Sequence, residues 1–117
     1  MNDELLVTAV HSRTSGVQGR SLNAARRNHF VIDASGDQAE AVTPGEAFLS
    51  GLSACGVLML ERVAAERDVP LAVADAWIEG VRPRSDPTWY QRVDLRFRLE
   101  GPTREQAEDL VEYYRSH

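Results

Sequence analysis

A helix that is apolar on every side dominates this sequence. Residues 47–60 read Ala-Phe-Leu-Ser-Gly-Leu-Ser-Ala-Cys-Gly-Val-Leu-Met-Leu. Just before them, Thr43-Pro44-Gly45-Glu46 combines an N-cap Thr, a Pro at the first helical position and a Glu at the third. The pattern predicts a helix from Thr43 to about Arg67, ended by Val69-Pro70. Because such a helix has no polar face, other parts of the protein must cover it on all sides.

The segments around this helix predict an α+β domain with the order β-β-β-α-β-β-α. β-forming residues favour two or three strands of an N-terminal β-meander, and alternating residues favour two further strands after the helix. A second capping box, Thr103-Arg-Glu-Gln106, opens a second helix. We expect one sheet of about five strands to cover one side of the central helix. The predicted strand segments are Leu5–Val10, Arg20–Ile32, Leu71–Val81 and Val93–Leu99.

The length of the chain limits how much of the central helix it covers by itself. The 117 residues suffice for one domain, predicted over residues 1–117, and leave little to cover the helix opposite the sheet. We therefore expect a homodimer in which the partner completes the core. The second helix reaches His117 without a Gly, Pro or other stop signal, so the domain is expected to be incomplete at its C-terminus.

Composition narrows the partners and the compartment. The net charge of −5 argues against nucleic-acid binding, although all 13 basic residues are Arg. The acidic N-terminus lacks the features of a signal peptide, and the 14-residue apolar stretch is too short to span a bilayer. One cysteine excludes an internal disulfide. These features predict a cytoplasmic protein with no membrane partner.

The single cysteine, Cys55, lies inside the apolar helix and has two interpretations. Free cysteines are often buried and act as small, inert hydrophobic side chains. A reactive cysteine instead needs a nearby cation to hold the thiolate, and Ala54 and Gly56 would leave room beside the sulfur. The histidines show no metal-ligand spacing with Cys55, so no metal is predicted. These histidines are His11, His29 and His117.

Three segments together resemble the OsmC/Ohr family of osmotically inducible and organic-hydroperoxide-resistance proteins. They are Arg26-Arg-Asn-His-Phe-Val-Ile-Asp33, the Thr43-Pro to Cys55 segment, and two strands followed by a helix near Thr103. The resemblance implies an intertwined homodimer with a long buried helix that carries a peroxidatic cysteine. It further implies reduction of organic hydroperoxides through a sulfenic acid, which a second cysteine captures as a disulfide and a dithiol reopens.

Two positions depart from the family pattern. No second cysteine follows in the second helix, and Gly45 stands where the peroxidases carry an assisting Glu directly after the proline. Glu46 lies about 180° around the helix from Cys55 and roughly 13 Å along its axis. We therefore favour a helix-capping role for Glu46, because only a thiol of a partner chain would be within its reach.

The resemblance also implies an arginine from the N-terminal strands beside the thiolate. Arg20, after Gly19, is the predicted catalytic partner of Cys55, with Arg13 as the competing choice. The predicted function is thiol-dependent reduction of organic hydroperoxides as a stress-response protein. No bound cofactor is expected, and an external dithiol would serve as reductant. The alternative is a non-catalytic dimer that binds an apolar small molecule, with Cys55 only lining the pocket.

Overall fold

The first half of the chain builds a three-stranded antiparallel sheet. The structure is a computed structural model that describes residues 4–117. Strand β1 spans His11–Thr14, β2 spans Arg20–Ala25 and β3 spans Asn28–Asp33, in the order β1-β2-β3. A short 3-10 helix, Gly36–Gln38, lies in the polar loop after β3. The predicted meander is therefore confirmed.

The meander begins later than the sequence pattern suggests. Residues 5–10 form no strand, and the side chains of Leu5, Leu6 and Val7 are more than four-fifths exposed. The pairing of β1 with β2 starts at His11, opposite Ala24. Beyond Ala24, β2 has only one more residue, Ala25, before the turn to β3. Residues 5–10, which precede β1, therefore have almost no strand to pair with. Their β-propensity alone does not make a strand.

The central helix, α1, spans Pro44–Glu66 as predicted. Both halves of its capping box form, since the Thr43 hydroxyl accepts from the Glu46 amide and the Glu46 carboxylate accepts from the Thr43 amide. The helix ends before Asp68, which adopts a left-handed conformation. The Val69 amide there donates to the Ala64 carbonyl and satisfies one of the last helical carbonyls.

The second half of the chain adds a two-stranded sheet and a second helix. Strands β4 (Val73–Val81) and β5 (Arg92–Glu100) pair along their whole length, and α2 spans Arg104–Ser116 behind its predicted capping box. Within residues 4–117 the five strands thus form two sheets, where we expected one. The mixed α+β fold itself is confirmed.

Residue contacts divide the chain into two compact units, Met1–Ala47 and Phe48–His117. In the second unit, α1 and α2 share a small core of four fully buried apolar residues. Phe97 and Tyr114 pack against this core, and their two rings meet edge to face with centroids 5.4 Å apart. The core residues are Leu60, Val63, Ala64 and Leu110. The single-domain boundary 1–117 stays a prediction.

Helix α1 buries only one side within this chain. Its buried residues are Gly56 and three members of the core, and Phe48, Leu52 and Leu58 are exposed. The whole of α1 is long and apolar enough to cross a membrane by length and composition, whereas its 14-residue apolar stretch alone is too short. One such helix is weak evidence for a membrane protein, because a helix from the core of a soluble protein has the same properties.

Candidate functional site

Cys55 is exposed on the side of α1 that faces away from the core. The buried residues Gly56, Leu60, Val63 and Ala64 lie roughly 80–180° around the helix from Cys55, at 100° per residue. Within one chain, therefore, the thiol does not act as a packed core side chain. The position keeps the sulfur accessible to small molecules, as a reactive thiol requires.

The thiol opens into a groove of about 540 Å³ on the surface of the second unit. Apart from Cys55 and one arginine, the residues along it are small or apolar, so the groove suits a hydrocarbon group. We refer to it as the Cys55 groove. Its lining residues are Gly51, Ala54, Cys55, Leu58, Met59 and Arg62.

Arg62 is the cation nearest to Cys55 along this helical face. It follows Cys55 by seven residues, which places it about 20° around the helix and roughly 10 Å along the axis. Side chains on a helix lean toward its N-terminus, so Arg62 leans toward Cys55. Within residues 4–117, Arg62 makes no ion pair or hydrogen bond. Arg62 was not predicted from the sequence, although its seven-residue spacing from Cys55 places both residues on one helical face.

Gly56 serves packing, contrary to the expectation that it leaves space beside the sulfur. It is buried, and a Cβ built on it would lie 2.9 Å from Cζ of Phe97 and 3.3 Å from Cε2 of Tyr114. The missing side chain lets β5 and α2 approach α1 closely. Gly51, on the face of the Cys55 groove, has nothing within 4 Å of the same position.

The aromatic residues of the second unit divide between the core and the surface. Phe97 and Tyr114 pack against the core, whereas Trp77 and Trp89 are about half exposed. Arg96 lies over the ring of Trp77, 5.5 Å from its centroid. The tryptophans thus do not contribute to the core of this chain.

Arg20 makes an ion pair inside the first unit. Its Nε lies 2.9 Å from Oδ2 of Asp33, which is opposite Arg20 in the β2–β3 register and fully buried. Nη1 of Arg20 lies 3.8 Å from the exposed carboxylate of Glu40. The guanidinium is therefore already engaged by two carboxylates of its own unit. Its role as partner of Cys55 stays a prediction.

Asp33 organises the loop that follows β3. Its carboxylate accepts hydrogen bonds from the amides of Ser35 and Glu40, at 2.9 and 3.0 Å. The Ser35 hydroxyl, these two amides and Arg20 hold the pKa of Asp33 well below its usual range, against the opposing effect of burial. A buried, ionised carboxylate thus links the meander to the loop that leads to α1.

Arg13 and Glu46, the two other residues considered for a role beside the thiol, lie in different environments. Arg13 is exposed on β1, where it pairs with Leu22 of β2. Glu46 makes the capping hydrogen bond with Thr43, so its predicted capping role is observed. Within residues 4–117, no group of three or more His, Cys, Asp or Glu side chains is placed to hold a metal ion.

One protein-family model matches most of the chain. The family model described as OsmC-like protein matches residues 35–117, which include α1 with Cys55 and all of the second unit. A comparison with curated protein sequences gives no significant match.

Solved structures share the fold at low sequence identity. An OsmC-like protein from Mycoplasma pneumoniae aligns with a TM-score of 0.82 and 15% identity, over 97% of this chain and 81% of that chain. An organic hydroperoxide resistance protein from Elizabethkingia anophelis aligns with a TM-score of 0.70 and 19% identity, over 95% of this chain and 82% of that chain. The organic hydroperoxide resistance protein OhrB of Bacillus subtilis aligns with a TM-score of 0.63 and 22% identity, over 93% of this chain and 83% of that chain. Together with the family model, this likeness shows that the chain belongs to the OsmC-like protein family.

Proposed function

We propose that the protein reduces organic hydroperoxides in a stress response, with Cys55 as the reactive thiol. The observation that carries this proposal is the exposed thiol of Cys55 in an apolar groove that also contains Arg62. Two of the structural neighbours are organic hydroperoxide resistance proteins, which adds support from the shared fold. The groove accepts an alkyl or aryl group, and the thiol lies beside it.

The chemistry proceeds in two stages with a balanced exchange of electrons. The Cys55 thiolate attacks the distal peroxide oxygen, the O–O bond breaks, and the leaving alkoxide takes a proton from water to become an alcohol. Cys55 is thereby oxidised to a sulfenic acid. An external dithiol then condenses with the sulfenic acid and releases water, and its second thiol regenerates Cys55 while the dithiol becomes a disulfide. The external dithiol supplies both thiols of this second stage.

We further infer that the protein acts as a homodimer in the cytoplasm. The exposed apolar side chains of α1 outside the Cys55 groove support the dimer, since Phe48 is 53% exposed and Leu52 38%. A second copy packed against these two side chains would remove them from water. A reducing compartment would supply the dithiol. Sedimentation as a 13.0 kDa species would contradict the dimer.

Turnover of cumene hydroperoxide with dithiothreitol or a dihydrolipoyl donor tests the enzymatic proposal. We expect consumption of the hydroperoxide by the natural chain and none by Cys55→Ser, which keeps the size of the side chain but removes the thiol. Mass spectrometry after peroxide treatment without a reductant should show one added oxygen on Cys55. Absence of turnover, together with a thiol no more reactive than free cysteine, would overturn the proposal.

The second candidate function is binding of an apolar small molecule without catalysis. It is favoured by Gly45, which stands where the peroxidases carry an assisting Glu. In that case the Cys55 groove would bind an apolar fluorescent probe, and Cys55→Ser would bind it equally well. Loss of turnover without loss of probe binding in Cys55→Ser would instead assign the thiol to catalysis.

A further inference from the structure

Two histidines that are far apart in the sequence lie on one face of the three-stranded sheet. His11 of β1 and His29 of β3 both pair with Ala24 of β2, from opposite sides. Directly opposed residues in a sheet point to the same face, so both imidazoles lie above the small side chain of Ala24. Two strand spacings separate their α-carbons, which is about 10 Å.

Arg13 completes a basic cluster on the same face. It lies two residues after His11 in β1, and alternate residues of a strand share a face. His11, Arg13 and His29 are exposed around a concavity of about 270 Å³, and Leu22 and Ala24 form its apolar floor. We call this concavity the His11–His29 pocket. Asn23 also borders it, and no carboxylate does.

The three basic side chains of the pocket have no partner within residues 4–117. Neither an ion pair nor a hydrogen bond engages the side chain of His11, Arg13 or His29. Five other arginines of the chain form ion pairs, namely Arg20, Arg92, Arg98, Arg104 and Arg115. A concentration of unpaired basic groups is unusual in a chain with a net charge of −5.

We propose that the His11–His29 pocket binds a tetrahedral oxyanion of the phosphate type. The guanidinium of Arg13 and the ring N–H groups of the two histidines donate hydrogen bonds from three directions. Oxygens that point in different directions on a tetrahedral anion match such donors better than the two coplanar oxygens of a carboxylate. A divalent cation fits less well, because the pocket offers two ligating imidazoles and the positive charge of Arg13 repels the ion.

Phosphorus-31 NMR of inorganic phosphate with the full chain tests this proposal. In a buffer free of other oxyanions, we expect saturable broadening of the phosphate signal and perturbation of the ring signals of His11 and His29. Arg13→Gln and His29→Gln should each weaken binding by about tenfold, the effect of losing one charge-assisted hydrogen bond. Arg84→Gln is the matched control, since it removes the same charge from an exposed turn outside the pocket.

The phosphate affinities of Arg13→Gln and Arg84→Gln distinguish a specific site from general charge attraction. Equal weakening by Arg13→Gln and Arg84→Gln would show general charge attraction and overturn the proposal. Binding of Zn²⁺ to the natural chain without binding of phosphate would also overturn it. A parallel titration with glycerol phosphate distinguishes a phosphate ester from the free anion, since a site for esters would bind this probe at least as tightly as inorganic phosphate.

Discussion

Nε of Arg20 lies 2.9 Å from Oδ2 of Asp33, whose side chain is fully buried in the first unit. The same carboxylate accepts from the Ser35 and Glu40 amides, so one side chain joins β2, β3 and the following loop. Removing one member of such a buried polar network destabilises the fold, because the remaining members stay buried without a hydrogen-bond or ion-pair partner.

We expect Asp33→Asn to lower the melting temperature by at least about 5 °C. The amide keeps the size of the side chain, but its NH₂ group cannot accept hydrogen bonds from Arg20 and the loop amides. Thermal unfolding followed by circular dichroism measures the effect. Asp37→Asn, at an exposed position in the 3-10 helix, is the matched control. Equal melting temperatures of the two variants would contradict this role of Asp33.

The depressed pKa of Asp33 predicts a pH dependence of stability. Because the folded pKa lies below the ordinary value of 3.8, the unfolded chain takes up this proton first as the pH falls. The contribution of Asp33 to stability is therefore fully present above that value and declines below it. We expect the stability difference between the natural chain and Asp33→Asn to shrink from about pH 5 to about pH 3, measured by urea unfolding. A constant difference over this range would disprove the linkage.

Two glycines of α1 should respond in opposite ways to alanine. Gly56→Ala should lower the free energy of unfolding by about 1–3 kcal/mol, because the new methyl group meets the rings of Phe97 and Tyr114. Gly51→Ala should raise it by about 0.5–1 kcal/mol through helix propensity, since nothing lies within 4 Å.

Urea unfolding measures both glycine variants, and sedimentation checks that they assemble alike. A stabilising effect of Gly56→Ala would show that the close approach of Phe97 to α1 is wrong.

Glu46→Gln tests whether Glu46 does more than cap the helix. Gln106 closes the equivalent capping box of α2, so a glutamine at the third helical position is sufficient for that purpose. We expect a loss of unfolding free energy of about 0.5 kcal/mol, from the charge at the helix dipole, and an unchanged rate of Cys55 oxidation. Thr43→Ala, which removes the N-cap, should cost about 1 kcal/mol. Slower oxidation in Glu46→Gln would assign Glu46 a role in the chemistry.

Arg62→Leu tests the contribution of the cation in the Cys55 groove. The substitution keeps an extended apolar side chain and removes the guanidinium. We expect KM for a fatty-acid hydroperoxide, whose carboxylate pairs with Arg62, to rise about tenfold, and KM for the neutral cumene hydroperoxide to change little. Arg67→Leu, one residue beyond the end of α1 and outside the groove, is the control. Equal effects on both substrates would exclude selective recognition of the anionic group.

The local elements could be predicted from the sequence because their signals are local. Both capping boxes use side chains within three residues of the amides that they satisfy, and both were observed at Thr43 and Thr103. The alternating residues of β5 predicted a strand for the same reason, and Leu95, Phe97 and Leu99 are its half-buried positions. Residues 5–10 failed as a strand because strand formation depends on a partner, and β2 ends too early to provide one.

The candidate sites depended on neighbours that lie far along the chain. The sequence alone indicated α1, its N-terminal cap and the protein family whose reactive cysteine corresponds to Cys55. It did not indicate that Phe97 and Tyr114 fill the space at Gly56, that Asp33 engages Arg20, or that Ala24 lies between His11 and His29. Hydrogen bonding and propensity within a few residues determine where a helix begins and ends. The partners of a side chain are determined by packing and strand register, which the tertiary structure alone establishes.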